Sequence, residues 1–213
     1  MRIVILGPPG SGKGTRARII GDIYGILVIT TGDMLREATA HGTRLGVVAK
    51  SYMDRGELVP DDIVNGIVTE RLKKADLEKG FILDGYPRSA AQVDALDNIL
   101  ERAGLKLDHV VVVVIKDETI ISRLSLRRSC PRCGEIYHLE SKPPKMDETC
   151  DKCGSGLIQR RDDEEDVVRH RLVVYREKTQ PLIERYQKRG LVRIVDGDIP
   201  IDAIPAEMRR LLG

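Results

Sequence analysis

Residues Gly7 to Thr15 read Gly-Pro-Pro-Gly-Ser-Gly-Lys-Gly-Thr and follow directly on an apolar run, Ile3-Val4-Ile5-Leu6. A short apolar run without polar alternation has the character of a buried strand. Glycines at 7, 10, 12 and 14 let the chain turn with positive φ and gather successive backbone N–H groups on one concave side. Lys13 adds a mobile positive charge, and a helix beginning near Lys13 directs its N-terminal dipole and unpaired N–H groups at the same point. The chain is therefore committed to a strand, an anion cradle and a helix in immediate succession. The spacing fits the phosphate-binding pattern G-x-x-x-x-G-K-[ST] with one departure, because position 14 is Gly and the hydroxyl arrives one place later at Thr15. In the common pattern the hydroxyl after Lys ligates magnesium. Here that metal is left to phosphates, water and a carboxylate elsewhere.

The same alternation continues along the chain. Strands are predicted at Arg2 to Leu6, Leu27 to Ile29, Phe81 to Asp84, His109 to Ile115 and Val192 to Val195. Helices are predicted at Lys13 to Tyr24, Asp33 to Ala40, Ala90 to Ala103, Glu118 to Arg127 and Ala203 to Leu212. Unalternating strands such as Val110 to Val114 suit a parallel sheet covered on both faces, so the expected fold is a doubly wound α/β sheet. Ligands in such sheets bind beyond the carboxyl ends of strands, where the first strand delivers the glycine loop and the third delivers Asp84. Two stretches break the pattern. Between Thr30 and Asp61 two helical segments, Asp33 to Ala40 and Thr43 to Met53, closed by Gly56 and Pro60, read as a small helical insertion. Between Arg128 and Glu164 the composition turns to Cys, Pro, Gly and charge, after which a long helix is predicted from Glu165 to Arg189.

The 213 residues suffice for one α/β domain with insertions. A net charge of +2 provides no global field for nucleic acid or an anionic membrane, so local basic clusters must carry any phosphate binding. No apolar stretch approaches the roughly 20 residues of a membrane span, and no signal-peptide core is present at the N-terminus. A soluble, cytoplasmic protein is expected, with a monomer as the default because few exposed apolar stretches are apparent.

Four cysteines in such a compartment favour metal over disulfides. Cys130-Pro-Arg-Cys133 and Cys150-Asp-Lys-Cys153 are two C-x-x-C pairs separated by 16 residues, each followed by Gly. Two such knuckles close a tetrahedral site for which Zn²⁺ is the expected occupant. Four thiolates leave no open coordination position, so the metal is predicted to be structural. His138 lies near the cluster and reads as a packing or surface residue.

Arg36, Arg88, Arg127, Arg160 and Arg171 stand where a solvated face does not call for them. Arg88 follows the buried-type strand in Asp84-Gly85-Tyr86-Pro87-Arg88 and so lies beside the glycine loop, while Asp84 at the same edge can order magnesium-bound water. Arg127 leads into the cysteine insertion, and Arg160 and Arg171 lie near its exit. Phosphoryl transfer needs positive charge of this kind, since its transition state spreads negative charge over equatorial oxygens and one arginine can contribute about 10³ to 10⁵ in rate. Closure also removes water that would otherwise accept the phosphoryl group. Asp162 and Asp163 either hold these arginines, hinge the closure, or form an acidic helix N-terminus with Glu164, Glu165 and Asp166.

Four motifs, Gly7 to Thr15, Thr31-Gly32-Asp33-Met34-Leu35-Arg36, Asp84 to Arg88, and Asp162 to Arg171, together resemble the nucleoside monophosphate kinases, and most closely the adenylate kinases of the long-lid, zinc-containing bacterial type. The resemblance runs in register over essentially the whole chain. It implies Mg²⁺-dependent conversion of ATP and AMP to two ADP on a P-loop doubly wound five-stranded parallel sheet. It also implies core segments at 1–29, 60–126 and 165–213, a helical monophosphate-binding insertion at 30–59 and a small zinc-containing lid at 127–164.

Carried over residue by residue, the resemblance puts ATP on Gly10, Ser11, Gly12, Lys13, Gly14 and Thr15, with Lys13 on the β and γ phosphates, and on Arg127, Ile136 and Tyr137. Arg123 aligns with a lid-base arginine near the adenine, and a backbone contact to adenine falls on Ile199. AMP falls on Thr31, Arg36, Glu57, Leu58, Val59, Gly85, Tyr86, Pro87, Arg88 and Gln92, with Arg160 and Arg171 bridging toward the reacting phosphates. The Gln92 amide can both donate to and accept from the adenine edge, and Thr31 offers a hydroxyl to the same ring. Arg16 departs from the family, which commonly has glutamine there, and Asp198-Ile199 departs from its usual polar residues. A kinase of the same fold with CMP, UMP or GMP as acceptor, or GTP as donor, is the nearest alternative. A nucleic-acid-binding ATPase using the cysteine ribbon as reader is opposed by the small net charge, the single Phe and the absence of Trp.

Overall fold

The computed structural model describes residues 1–73 and 79–213. The chain runs β1 (Arg2–Leu6), α1 (Lys13–Tyr24), β2 (Leu27–Thr30), α2 (Thr31–Ala40), α3 (Arg44–Asp54), α4 (Asp61–Leu72), β3 (Phe81–Asp84), α5 (Ala90–Arg102), β4 (His109–Val114) and α6 (Asp117–Ser125). It continues through the short strands β5 (Arg127–Ser129) and β6 (Ile136–His138), then α7 (Glu165–Val174), α8 (Leu182–Gln187), β7 (Val192–Asp196) and α9 (Ile204–Leu212).

Five strands form one parallel sheet in the order β2-β3-β1-β4-β7, as the apolar runs predict. The pleat divides their side chains between two layers. Val4, Leu6, Leu83, Val110 and Val112 pack with Val93, Leu96 and Leu100 of α5 and with Leu182 and Tyr186 of α8. Ile3, Ile5, Ile82, Val111 and Val113 pack on the other face with Ala17 and Ile20 of α1 and Ile204, Met208 and Leu212 of α9. Helices on both faces explain why the strands read without alternation. Among the described residues no helix is long and apolar enough to cross a membrane.

The structure adds two elements and corrects two helix boundaries. Helix α4 was not anticipated, although Ile63, Val64, Ile67 and Val68 recur at helical spacing and Val64 and Val68 are buried. The helix expected to reach Arg127 ends at Ser125, because Arg127 pairs with His138 in the antiparallel β5-β6 ribbon. That ribbon was also unforeseen. The long helix expected from Glu165 to Arg189 is interrupted by a wide π turn at Tyr175–Thr179, where Gln180 N donates to Tyr175 O at 2.9 Å. Pro181 follows, and its missing N–H and ring clash forbid a regular helix at that point.

Candidate active site

Strand β1 ends in the glycine loop, and Ser11 N donates back to Pro8 O at 3.3 Å. Gly10 and Gly12 have φ of 74° and 84°, which aims the loop amides inward before α1 begins at Lys13. Lys13 Nζ donates to Pro8 O at 2.7 Å and so lies across the mouth of the loop. Withdrawal from water pushes the Lys13 pKa down to about 7, against the pull of Asp84 and with help from Arg88, Arg171 and Arg127. Asp84 ends β3, the strand beside β1, with Ile5 as its register partner. Its carboxyl is buried, and that desolvation raises its pKa, opposed by Lys13 and Arg88. A Cβ at position 14 would lie 3.3 Å from Asp84 Oδ2. Glycine at 14 lets that carboxylate sit close against the loop.

An open cleft of about 2370 Å³ extends from the loop between α2, α6, α7 and the cysteine insertion. Arg36, Arg88, Arg127, Arg160 and Arg171 all line it, so residues spread over 136 positions of sequence form one basic cluster. Arg88 Nε donates to Gly85 O at 2.8 Å, and burial with the nearby Arg171 charge lowers its pKa to about 10. Burial lowers Arg160 to about 10 as well, with Arg36 and Arg127 adding to the effect. Arg127 clasps Asp163 with Nε to Oδ2 at 2.8 Å and Nη2 to Oδ1. Arg171 Nη1 reaches Asp162 O at 2.6 Å and Asp162 Oδ2 at 3.0 Å. Of the readings open for these two aspartates, holding the arginines is what the geometry displays. Burial alone would raise the Asp162 pKa, but Arg171, Arg127, Arg36 and Arg160 outweigh it and the net shift is downward. Such a cluster of crowded cations, partly stripped of water and only partly neutralised, is a strong attractor for a polyanion.

At the end of the cleft near β2 and β3, Thr31 Oγ1 donates to Gly85 O at 2.9 Å. A Cβ at position 85 would meet Thr31 Oγ1 at 2.8 Å and Arg88 Nη2 at 2.9 Å, and φ is 81°, so only glycine fits. Arg36 pairs with Asp33, and Glu57 with Arg55 at 2.8 Å. Leu58, Pro87 and Gln92 join the wall, as does Val59, which also packs into the core. Tyr86 differs from the rest of the predicted set. It is fully buried in the core, its hydroxyl 2.7 Å from Asn65 Oδ1 and 3.1 Å from Gln92 O, and it does not line the cleft.

At the opposite end, Arg123 Nη1 donates to Gly197 O at 3.0 Å and Nη2 to Asp198 Oδ1 at 3.1 Å, tying α6 to the loop that carries Ile199. Arg16, whose role could not be read from sequence, is a second tether to this region. It is buried, with Nη2 donating to Asp196 O at 2.7 Å and Nη1 to Ser11 O at 3.4 Å. Ile136 and Tyr137 on β6 reach the cleft from the cysteine insertion. Gly10, Gly12, Gly14 and Thr15 line it, whereas Ser11 is buried beneath the loop.

The four cysteine sulfurs lie within 4.8 Å of one another. Cys130 and Cys153 Sγ are 3.4 Å apart and Cys133 and Cys150 Sγ 3.5 Å, close to the ~3.8 Å edge of a tetrahedron with metal–sulfur bonds of about 2.3 Å. The knuckles repeat each other's backbone bonds. Gly134 N donates to Cys130 O and Cys130 N to Glu135 O, while Gly154 N donates to Cys150 O and Cys150 N to Ser155 O. The donor set and its spacing fit a tetrahedral thiophilic metal. His138 stays outside, its Nδ1 accepting from Glu140 N and Ser141 N.

Sequence reasoning missed the residues that hold others in place: Asp61 and Ser89 behind Gln92, and Asp33 beside Arg36. Asp33, three residues before Arg36 on one helix, left a local signal, as did Ser89, three residues before Gln92 in the helix-start pattern S-x-x-Q; Asp61 left none.

A glycine loop between a buried parallel strand and a helix, facing a ring of arginines at the carboxyl edge of a doubly wound sheet, defines a P-loop protein built to handle nucleotide phosphates. The adenylate kinase family model matches residues 5–191. An adenylate kinase of Archaeoglobus fulgidus is 52% identical over 212 residues, covering 100% of this chain and 98% of the relative. One from a Geobacillus strain is 49% identical, covering 100% and 99%, and one from Methanosarcina acetivorans is 48% identical, covering 100% and 98%. The chain belongs to the adenylate kinase family.

Proposed function

We propose that this protein catalyses the reversible, Mg²⁺-dependent transfer of the terminal phosphoryl group of ATP to AMP, giving two ADP and so maintaining adenine nucleotide balance. The observation that carries the reading is the meeting of Lys13, Arg36, Arg88, Arg127, Arg160 and Arg171 on one cleft that also holds the glycine loop and Asp84.

The donor's phosphates lie in the loop amides, with Lys13 on the β and γ groups and Arg127 on the γ group, and its base lies against Arg123 and Ile199. AMP occupies the end formed by Thr31, Arg36, Glu57 to Val59, Gly85, Pro87 and Arg88, with Gln92 at the base and Tyr86 packed in the core behind them. Arg160 and Arg171 close on the phosphoryl group in flight. AMP already carries an anionic phosphate oxygen, so no general base is needed. Catalysis reduces to alignment, exclusion of water and stabilisation of charge on equatorial oxygens. Asp162 and Asp163 keep the lid arginines aimed before substrate arrives. Asp84 is a buried carboxylate at the loop, which fits it to hold magnesium through water, and a magnesium ion held there would supply positive charge against the phosphates.

Residues 1–29, 60–126 and 165–213 act as the core, 30–59 closes on AMP, and 127–164 is a lid whose Cys130, Cys133, Cys150 and Cys153 hold a structural zinc. The protein acts as a cytoplasmic monomer on free nucleotides, without nucleic acid or membrane. A phosphotransfer assay with Mg·ATP and AMP, CMP, UMP or GMP offered singly tests the reading. Fast diphosphate formation with AMP alone is expected. Preference for another monophosphate would keep the mechanism and overturn the acceptor assignment to Thr31 and Gln92.

A further inference from the structure

Gln92 is 2% exposed, yet its side chain lines the cleft, and the orientation of its amide is forced by its neighbours. Oε1 accepts from Arg88 N at 2.7 Å, and Nε2 donates to Asp61 Oδ1 at 2.7 Å. A backbone N–H can only donate and a carboxylate can only accept. Rotating the amide by 180° would set NH₂ against N–H and oxygen against carboxylate, so two bonds would become two repulsions in a place shielded from water. Asp61 is itself fixed. It opens α4, and its Oδ2 accepts from Ser89 Oγ at 2.8 Å, while Ser89 Oγ caps α5 by accepting from Gln92 N at 3.2 Å.

After these bonds the Gln92 amide keeps one N–H and one lone pair for a ligand. Adenine offers an acceptor at N1 and a donor at N6. Hypoxanthine and guanine offer the reverse, a donor at N1 and an acceptor at O6. A glutamine free to flip would serve both kinds of base, whereas a locked one serves only the base that matches its fixed order.

We propose that Asp61 is a positioning residue that locks the Gln92 amide and so sets the preference for a 6-amino over a 6-oxo purine monophosphate at the acceptor site. The proposal rests on the reading of Gln92 as an acceptor-base contact. It assigns Asp61 no contact with substrate.

Steady-state kinetics with AMP and with IMP on Asp61→Ala, Asp61→Asn, Gln92→Leu and the double variant Asp61→Ala/Gln92→Leu provide the test. Asp61→Ala is expected to raise KM for AMP about tenfold, to lower kcat by much less, to leave KM for ATP within twofold, and to narrow the AMP-to-IMP ratio of kcat/KM several-fold. Asp61→Asn, whose amide oxygen can still accept from Gln92, is expected to recover most of the loss. In the Gln92→Leu background, Asp61→Ala is expected to add less than twofold to KM for AMP, because its effect passes through Gln92. If Asp61→Ala does not fold, Asp61→Ser, whose shorter side chain falls short of Gln92, reads the same quantities. A position-61 variant with unchanged KM for AMP and unchanged AMP-to-IMP ratio, beside a Gln92→Leu that raises KM, overturns the positioning role and leaves the acceptor site standing. A Gln92→Leu variant with unchanged KM for AMP overturns both.

Discussion

The phosphate loop and the cysteine lid are both tight turns punctuated by glycine, but they are held in opposite ways. The loop hangs between β1, where Ile3, Val4 and Ile5 are wholly buried, and α1, which packs Ala17 and Ile20 against the same sheet. Its shape is supplied by apolar burial around it, so Lys13 is not needed to hold it. In the lid, the buried apolar cluster is Cys130, Tyr137 and Cys150, flanked by Cys133, Cys153 and Leu157, and its two strands have three residues each. There, on the proposed zinc reading, a metal held by four sulfurs would supply the shape. The functional group at the loop should therefore be removable without loss of fold, while the groups in the lid should be removable only with loss of fold and little direct loss of chemistry.

The largest effect expected on the loop side comes from Lys13→Met. Turnover should fall about 10²- to 10³-fold or more, on the scale of losing a positioned hydrogen-bond donor at the transferred group. The melting temperature should hold or rise, since a partly desolvated ammonium is replaced by an apolar chain of similar length. Near-normal turnover in this variant would remove Lys13 from the mechanism and erase the contrast with the lid.

On the lid side, stripping the metal with a chelator should withdraw on the order of 10 kcal/mol of local folding free energy. Hydrogen exchange should then speed up at the knuckle amides of Cys130, Gly134, Cys150 and Gly154, while β1 and β4 remain protected. Activity at moderate temperature should decline less than lid stability does. Abolition of turnover with no change in exchange or melting would mean that the cysteine cluster is not structural.

The same contrast decides what could be read in the sequence. The glycine loop and the cysteine pairs are local patterns in which spacing alone fixes geometry, and Gly7 to Thr15 and Cys130 to Cys153 announce themselves. The central strands were legible because Val110 to Val113 carry no polar residue. The β5-β6 ribbon was not, because three-residue strands have no periodicity and exist only where the knuckles bring them together. Helix α4 was obscured by β-branched pairs that suit a strand as well as a helix. The π turn at Tyr175–Thr179 reflects Pro181, and Thr179 Oγ1 uses the irregularity to donate to Arg88 O at 2.9 Å. Asp61 and Gln92 stand 31 positions apart, and nothing in either neighbourhood records that they meet.

The smallest effect expected separates the two regions by charge. Lys13 has its pKa near 7 because it is withdrawn from water beside Arg88, Arg171 and Arg127, and in the unfolded chain it returns to about 10.5. Between these values the unfolded chain binds more protons than the folded one, so Lys13 makes stability rise with pH from about 7 to 10.5, and below 7 the burden of the buried ammonium is present in full. Polyphosphate placed on Lys13 supplies the missing negative charge and drives its pKa back up. Nucleotide binding at pH 8.5 should therefore take up close to one proton, at a pH where the γ-phosphate is already ionised and contributes little. Calorimetry in two buffers of different ionisation enthalpy reads that uptake directly, and Lys13→Met should abolish most of it while chelation of the lid should leave it in place. A binding enthalpy independent of buffer at pH 8.5 would show that the ammonium is fully charged before the nucleotide arrives, and the loop lysine would then be a preformed anchor rather than a group charged by its own substrate.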